Sequence, residues 1–188
     1  FIMTLPAATP VNPDAHPAAD AVLDYLEKLS AGSNISAIAG QNCGHGTEAG
    51  WQYSELVEAL EQKTNKYIGM IGVDYEYTER FSVNELKNAN QTLIRHWNQG
   101  GLITINWAPL NPWTNNGPYD NNRVNIRDLV DTSKTIGKKW LGEIERIAAG
   151  LRDLQYAGVV VLWRPFQEMN GDWFWWGTRA HEIGRAHV

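Results

Sequence analysis

One carboxylate in this chain stands out by its company. Glu168 follows the apolar run Val159-Val160-Val161-Leu162 and the step Arg164-Pro165; Asn170 and Gly171 come next, then Trp173, Trp175 and Trp176. An apolar run without polar alternation reads as a strand buried on both faces, which places Glu168 just past a strand's carboxyl end. Indole faces match the C–H faces of pyranose rings, and apolar surface beside a carboxylic acid holds it protonated. A shielded acid of this kind is what breaks a bond between two sugars. The chain has nine tryptophans, which strengthens that reading. Arg164 is expected either to pair with catalytic carboxylates or to close a structural ion pair under the strand ends. Asn170 binds a hydroxyl or, more simply, serves the turn with Gly171. Alternation sends one of Trp175 and Trp176 toward substrate and the other into a packed layer.

The elements that would position Glu168 follow from apolar periodicity. Prolines 6, 10, 13 and 17 make residues 1–18 an extended leader. Helical spacing of Ala21, Leu23, Leu26 and Leu29 covers residues 20–29. A short strand is expected over residues 35–40. A helix capped by Ser54 should run over 54–63 with Leu56, Val57 and Leu60 inward. A second strand is expected over 67–73. Ser82 and Glu85 form a capping box that opens a helix running through Trp97, stopped by Gly100-Gly101. Residues 102–107 are the third strand, and 108–125 a long loop whose Trp113 and Tyr119 suggest function; Trp113 is a distal sugar platform or a loop anchor. A helix over 135–154 carries Trp140, Leu141, Ile144, Ile147 and Leu151 as its stripe, and the fourth strand is 159–162. His96, within a helix, reads as structural.

Alternating strands and helices predict an α/β fold with a parallel sheet. Polar or aromatic residues follow each strand: Gln41-Asn42, Asp74-Tyr75, Asn106-Trp107, then Arg164 and Glu168. In a (β/α)8 barrel those ends form the active face. A doubly wound open sheet alternates in the same way, but no G-x-G-x-x-G follows any strand. Asp74 and Tyr75 then bind sugar or brace residues that do.

The 188 residues suffice for one domain with a real core. A net charge of −5 argues against nucleic acid and against an anionic membrane as partners. Cys43 is the only cysteine, so no internal disulfide and no cysteine-based zinc site is expected. Cys43-Gly44-His45-Gly46 offers one thiol and one imidazole, too few to cage a metal, and no organic cofactor is implied. No run reaches transmembrane length. Residues 1–13 lack the basic start and apolar core of a complete signal peptide, and residues 1–8 read as a remnant of one or a plain tail; a secreted or extracytoplasmic location is the expectation. Residues 182–188 resemble the translation of a sequencing-adapter read-through and are expected not to be native.

The stretch Trp163-Arg164-Pro165-Phe166-Gln167-Glu168-Met169-Asn170-Gly171-Asp172-Trp173-Phe174-Trp175-Trp176-Gly177 resembles the strand-4 signature of glycoside hydrolase family 26, best known for endo-β-1,4-mannanases. Ile38-Ala39-Gly40-Gln41-Asn42, Ile71-Gly72-Val73-Asp74-Tyr75 and Gly100-Gly101-Leu102-Ile103-Thr104-Ile105-Asn106-Trp107 resemble its strands 1 to 3, so that the likeness covers roughly residues 35–178. The resemblance implies a (β/α)8 TIM barrel, truncated here to about its first four β/α units, with residues 19–181 as the N-terminal half of a catalytic domain. It implies retention of anomeric configuration, which uses two carboxyl groups about 5–5.5 Å apart. Glu168 matches the family's acid/base; the nucleophile, at the end of strand 7 in the family, has no counterpart among Asp74, Glu76, Asp120 or Asp172.

By the same resemblance Trp173 packs against the sugar at the cleavage point and Trp107 lines the cleft, with Trp176, Arg164, Gln167, Asn170, Asp74 and Tyr75 as further substrate contacts. Gln167 stands where many members have histidine before the acid/base, and Ala108 where many have histidine after the strand-3 tryptophan. The implied activity is endo-acting hydrolysis of β-mannan, with β-1,3-xylanase, mixed-linkage β-glucanase or non-catalytic carbohydrate binding as the alternatives. The chain by itself is expected to be inactive. The unpaired edges of its outer strands are expected to make it insoluble, oligomeric or molten.

Overall fold

The computed structural model describes residues 8–32, 37–122 and 125–177. Four parallel strands, β1 (Gly40–His45), β2 (Met70–Asp74), β3 (Leu102–Trp107) and β4 (Val161–Pro165), lie side by side in the order β1-β2-β3-β4. Between and before them run α1 (Ala18–Ala31), α2 (Ala49–Gln52), α3 (Ala59–Thr64), α4 (Val83–Asn98), α5 (Ile126–Val130) and α6 (Thr135–Tyr156). Strand order never reverses, so the described sheet has no topological switch point of the doubly wound kind. Sequential parallel strands, each returned by a helical crossover, are the arrangement of four β/α units of a (β/α)8 barrel.

Register assigns each residue to a face. Ile71 pairs with Ile103 and Ile103 with Val161; Val73 pairs with Ile105 and Ile105 with Trp163. This face meets the helices and is closed by Val57, Leu86, Leu93, Ile147 and Leu154. The opposite face carries Gly72, Thr104 and Leu162, then Asp74, Asn106 and Arg164 at the carboxyl ends. In a barrel that second face looks inward.

α4 starts as its residues dictate: Ser82 Oγ accepts from Glu85 N–H at 3.3 Å while Glu85 Oε2 accepts from Ser82 N–H at 2.7 Å. The Ser82 N–H, and then the Ser82 hydroxyl, hold the Glu85 carboxyl below its ordinary value. Asn90, fully buried, ties three elements together: it accepts from Tyr75 Oη at 2.6 Å and donates to Gly150 O at 2.9 Å and Asp153 Oδ2 at 3.0 Å. His96 is structural as expected, buried with Nδ1 3.1 Å from Tyr53 Oη, and burial lowers its pKa.

Several boundaries differ from the sequence reading. The first strand is Gly40–His45 rather than 35–40, because pairing with β2 continues into polar residues past the apolar run; residues 35 and 36 lie outside the described ones. β2 starts at Met70, and β4 runs Val161–Pro165, taking in Trp163 and Arg164. Ser54 caps nothing: it sits inside a helical run that starts at Ala49 and passes through a π-turn at Tyr53–Glu58. There Tyr53 and Val57 point inward, while Leu56 and Leu60 face out, as do Leu141 and Ile144 on α6. Residues 8–17 run in turns, with Ala15 N–H donating to Asn12 O at 3.1 Å. Together with α1 they wall a cavity of about 570 Å³ along β4, which Glu168 does not line. Residues 182–188 lie outside the described ones.

Candidate active site

β4 ends in Pro165, and the chain then turns on two non-glycine residues with left-handed backbone, Phe166 at φ 53° and Glu168 at φ 57°. Such conformations cost about 1–3 kcal/mol each and persist only where their surroundings enforce them. Phe166 supplies the enforcement, with its ring packed among Trp107, Trp140, Trp175 and Trp176 at centroid distances of 5.5 to 6.1 Å. The turn throws the Glu168 side chain out at the strand's carboxyl end, where it is exposed. Trp173 Nε1 donates to Glu168 Oε2 at 2.9 Å.

This corrects one expectation: Glu168 is not enclosed by indoles. A single indole meets it through its N–H edge, and the Trp173 ring, 44 % exposed, keeps a face open. Gly171 makes room for that ring, since a Cβ there would sit 2.3 Å from Trp173 Cζ2.

Three residues read as substrate contacts belong to the packing instead. Trp176 is 1 % exposed, stacked on Phe174 at 4.5 Å, with Nε1 bonded to Gln167 O at 3.0 Å. Trp175 is buried too, its Nε1 donating to Pro109 O at 2.9 Å, so neither indole of that pair reaches the rim. Trp107 is on the helix side of β3, stacked between Trp140 at 5.3 Å and Trp163 at 6.4 Å. Tyr75 is fully buried on the same side, and burial raises the pKa of its phenol. Strand alternation explains both cases: odd positions of β2 and β3 face the helices. Trp113 is a loop anchor, edge-on to Trp175 at 6.1 Å.

The remaining predicted residues gather near the rim. Asp74, Asn106 and Arg164 form one row across β2, β3 and β4. Asp74 is 8 % exposed, with Oδ2 3.5 Å from His45 Nδ1. Asp74 Oδ1, Asn106 Oδ1 and Gln167 Oε1 are buried with no hydrogen-bond partner among the described residues. Unpaired buried acceptors carry a desolvation cost that a donor arriving from outside would offset. Arg164 is exposed and donates from Nε to Thr104 Oγ1 at 3.2 Å. Asn170 is exposed within the turn.

The sequence reading gave no role to two supports. Glu76, 2 % exposed, accepts from Trp107 Nε1 at 2.8 Å and Phe81 N–H at 3.1 Å, and pairs with Arg146 at 2.7 Å. Asn111, fully buried, organises the β3–α5 loop: it donates to Asp120 O and Asn122 O and accepts from Trp113 N–H at 2.9 Å. Asp120 tightens the same loop, held down to about 2 by the Asn116 amide and then the Asn122 N–H. An asparagine in a long polar loop carries no local signal of burial. The only hint was the length of the loop.

The chain is similar to known proteins over most of its length. The model of glycosyl hydrolase family 26 matches residues 11–186. Over 177 residues the chain is 32% identical to "Mannan endo-1,4-beta-mannosidase A and B" of Caldalkalibacillus mannanilyticus, covering 90% of this chain and 34% of that protein. It is 28% identical to the mannan endo-1,4-beta-mannosidase of Bacillus subtilis strain 168, covering 92% of this chain and 49% of that one. The solved structure of a Bacillus subtilis mannanase superposes with a TM-score of 0.77 at 26% identity, over 91% of this chain and 53% of that one. The chain thus spans between about a third and a half of the lengths of these relatives.

Proposed function

The chain belongs to glycosyl hydrolase family 26, and on that premise we propose that it carries the acid/base side of a retaining endo-β-1,4-mannanase site. Glu168 protonates the leaving glycosidic oxygen, then takes a proton from the water that hydrolyses the glycosyl-enzyme. The observation that carries this reading is the exposed carboxylate at the end of β4, oriented by the Trp173 N–H on a strained turn. The open face of Trp173 packs against the sugar at the cleavage point. Arg164, Gln167, Asn170 and Asp74 supply polar contacts around it. The attacking carboxylate comes from outside these four β/α units, so the chain alone does not turn over. The enzyme works outside the cytoplasm, where its polymeric substrate is met; no described helix is long and apolar enough to cross a membrane.

Grafting residues 37–177 into the Bacillus subtilis mannanase in place of its matching segment tests the substrate. The chimera is expected to release reducing ends from linear β-1,4-mannan faster than from β-1,3-xylan or mixed-linkage β-glucan. Preference for either of the other polymers would move the assignment within the family. Binding of mannan without hydrolysis would favour a carbohydrate-binding protein.

A further inference from the structure

Resting on the mannanase reading, we propose that Tyr119, with Tyr77 and His45 beyond it, forms a second sugar subsite toward the β1–β2 side of the rim. The aromatic surface does not stop at Trp173. Trp173 meets Phe174 edge-on at 6.4 Å, and Phe174, 3 % exposed, is a buried spine on which Tyr119 stacks at 5.0 Å. Tyr119 is 53 % exposed. Tyr77 meets it edge-on at 6.0 Å, with the two hydroxyls hydrogen-bonded, and His45 stacks on Tyr77 at 5.2 Å with ring planes 14° apart. Each step is of the order of an aromatic contact, so the belt runs unbroken from the cleavage-point indole to the end of β1.

An exposed tyrosine on a loose loop would mean little, but this loop is held on both sides. Buried Asn111 holds it from within. Trp175 N–H donates to Pro118 O at 2.9 Å and Asn121 Nδ2 to Asp172 O at 3.1 Å, binding it to the turn that carries Glu168. The Tyr119 ring is therefore preorganised, and a sugar stacking on it pays little ordering entropy.

Past Tyr77 the belt opens into a polar cavity of about 120 Å³ lined by His45, Thr47, Glu48, Tyr77, Thr78, Glu79 and Phe81. Buried Asp74 stands behind His45 with Oδ1 unpaired. A pyranose offers both, an apolar C–H face for the ring and hydroxyls for the cavity wall. The occupant is a mannan chain continuous with the sugar at Trp173, so the subsite is filled only by longer oligosaccharides.

Calorimetric titration of the chimera described above, made inactive by Glu168→Gln so that the sugars are not cleaved, with β-1,4-mannohexaose and with mannobiose tests the subsite, with circular dichroism melts to verify folding. Tyr119→Ala is expected to weaken mannohexaose binding by about 3- to 10-fold and mannobiose binding by less than about twofold, the range of one aromatic contact. Tyr119→Phe keeps the ring and is expected to bind as the parent chimera does, while Trp173→Ala weakens both ligands. Unchanged mannohexaose binding in Tyr119→Ala overturns the subsite. So does equal weakening of both ligands, or failure of Tyr119→Phe. In each of those cases binding lost in Trp173→Ala leaves the mannanase reading standing. A folded chimera with the rim otherwise unaltered that binds neither sugar overturns the mannanase reading and the subsite with it.

Discussion

In the proposed mechanism the chemistry falls on Glu168, a residue whose backbone is already strained. Its left-handed backbone has a steric cost of about 1–2 kcal/mol that a glycine would not incur. The turn carries the carboxylate past the strand end, and the partly buried Phe166 ring, packed against Trp107, holds it there. Glu168→Gly and Glu168→Ala both delete the carboxylate and its bond to Trp173, yet they differ in backbone freedom. Urea unfolding is expected to show Glu168→Gly more stable than Glu168→Ala by about 1 kcal/mol, glycine's usual unfolded-state penalty notwithstanding. An alanine variant as stable as the glycine variant would mean that the turn relaxes once the carboxylate is gone.

At the scale of elements, Glu76 joins the end of β2 to Trp107 on β3, to the segment before α4 through Phe81 and to α6 through Arg146. Burial raises its carboxyl above the ordinary 4.5, opposed first by the Arg146 charge and then by the Trp107 and Phe81 donors. The folded chain therefore holds this proton more tightly than the unfolded chain does. The resulting contribution to stability is full below about pH 4.5 and is lost as pH rises through the raised value. Glu76→Gln removes the titration, so in urea melts the wild type is expected to lose stability relative to Glu76→Gln as pH is raised from about 4.5 toward neutrality. Parallel pH profiles for the two proteins would show that the pair with Arg146 cancels burial completely. Apolar periodicity made the elements themselves legible: α4 was readable from its capping box, and β3 from a run bounded by Gly101 and the loop after Trp107. Boundaries failed where pairing outran composition, as when β1 and β2 aligned through Gln41 and Asn42. Inward faces failed where a π-turn rotated Leu56 and Leu60 outward, a change of pitch that no 3.6-residue pattern encodes.

At the scale of the molecule, one parallel arc with its polar residues at the carboxyl ends sets what the chain does. Apolar runs placed Asp74 and Arg164 at strand ends, and the register puts both on the sheet face away from the helices, while Glu168 follows β4 on the turn. Trp107, Tyr75 and Trp176 were misread because residue type says nothing about which face a side chain takes, and all three pack into the layer that supports the turn. On the β4 turn Trp175 and Trp176 are buried in the packing while Trp173 is 44 % exposed, and the proposed sugar contact falls to Trp173. The account rests on Glu168 as the proton donor to the leaving oxygen. Its most direct test is Glu168→Gln in the chimera described above, assayed on mannan and on an aryl β-mannoside with a strongly acidic leaving group. Turnover of mannan should fall by about 10²- to 10⁴-fold, with a much smaller loss in the first step on the aryl glycoside, which needs little protonation. Equal losses on both substrates, or undiminished turnover of mannan, would contradict it.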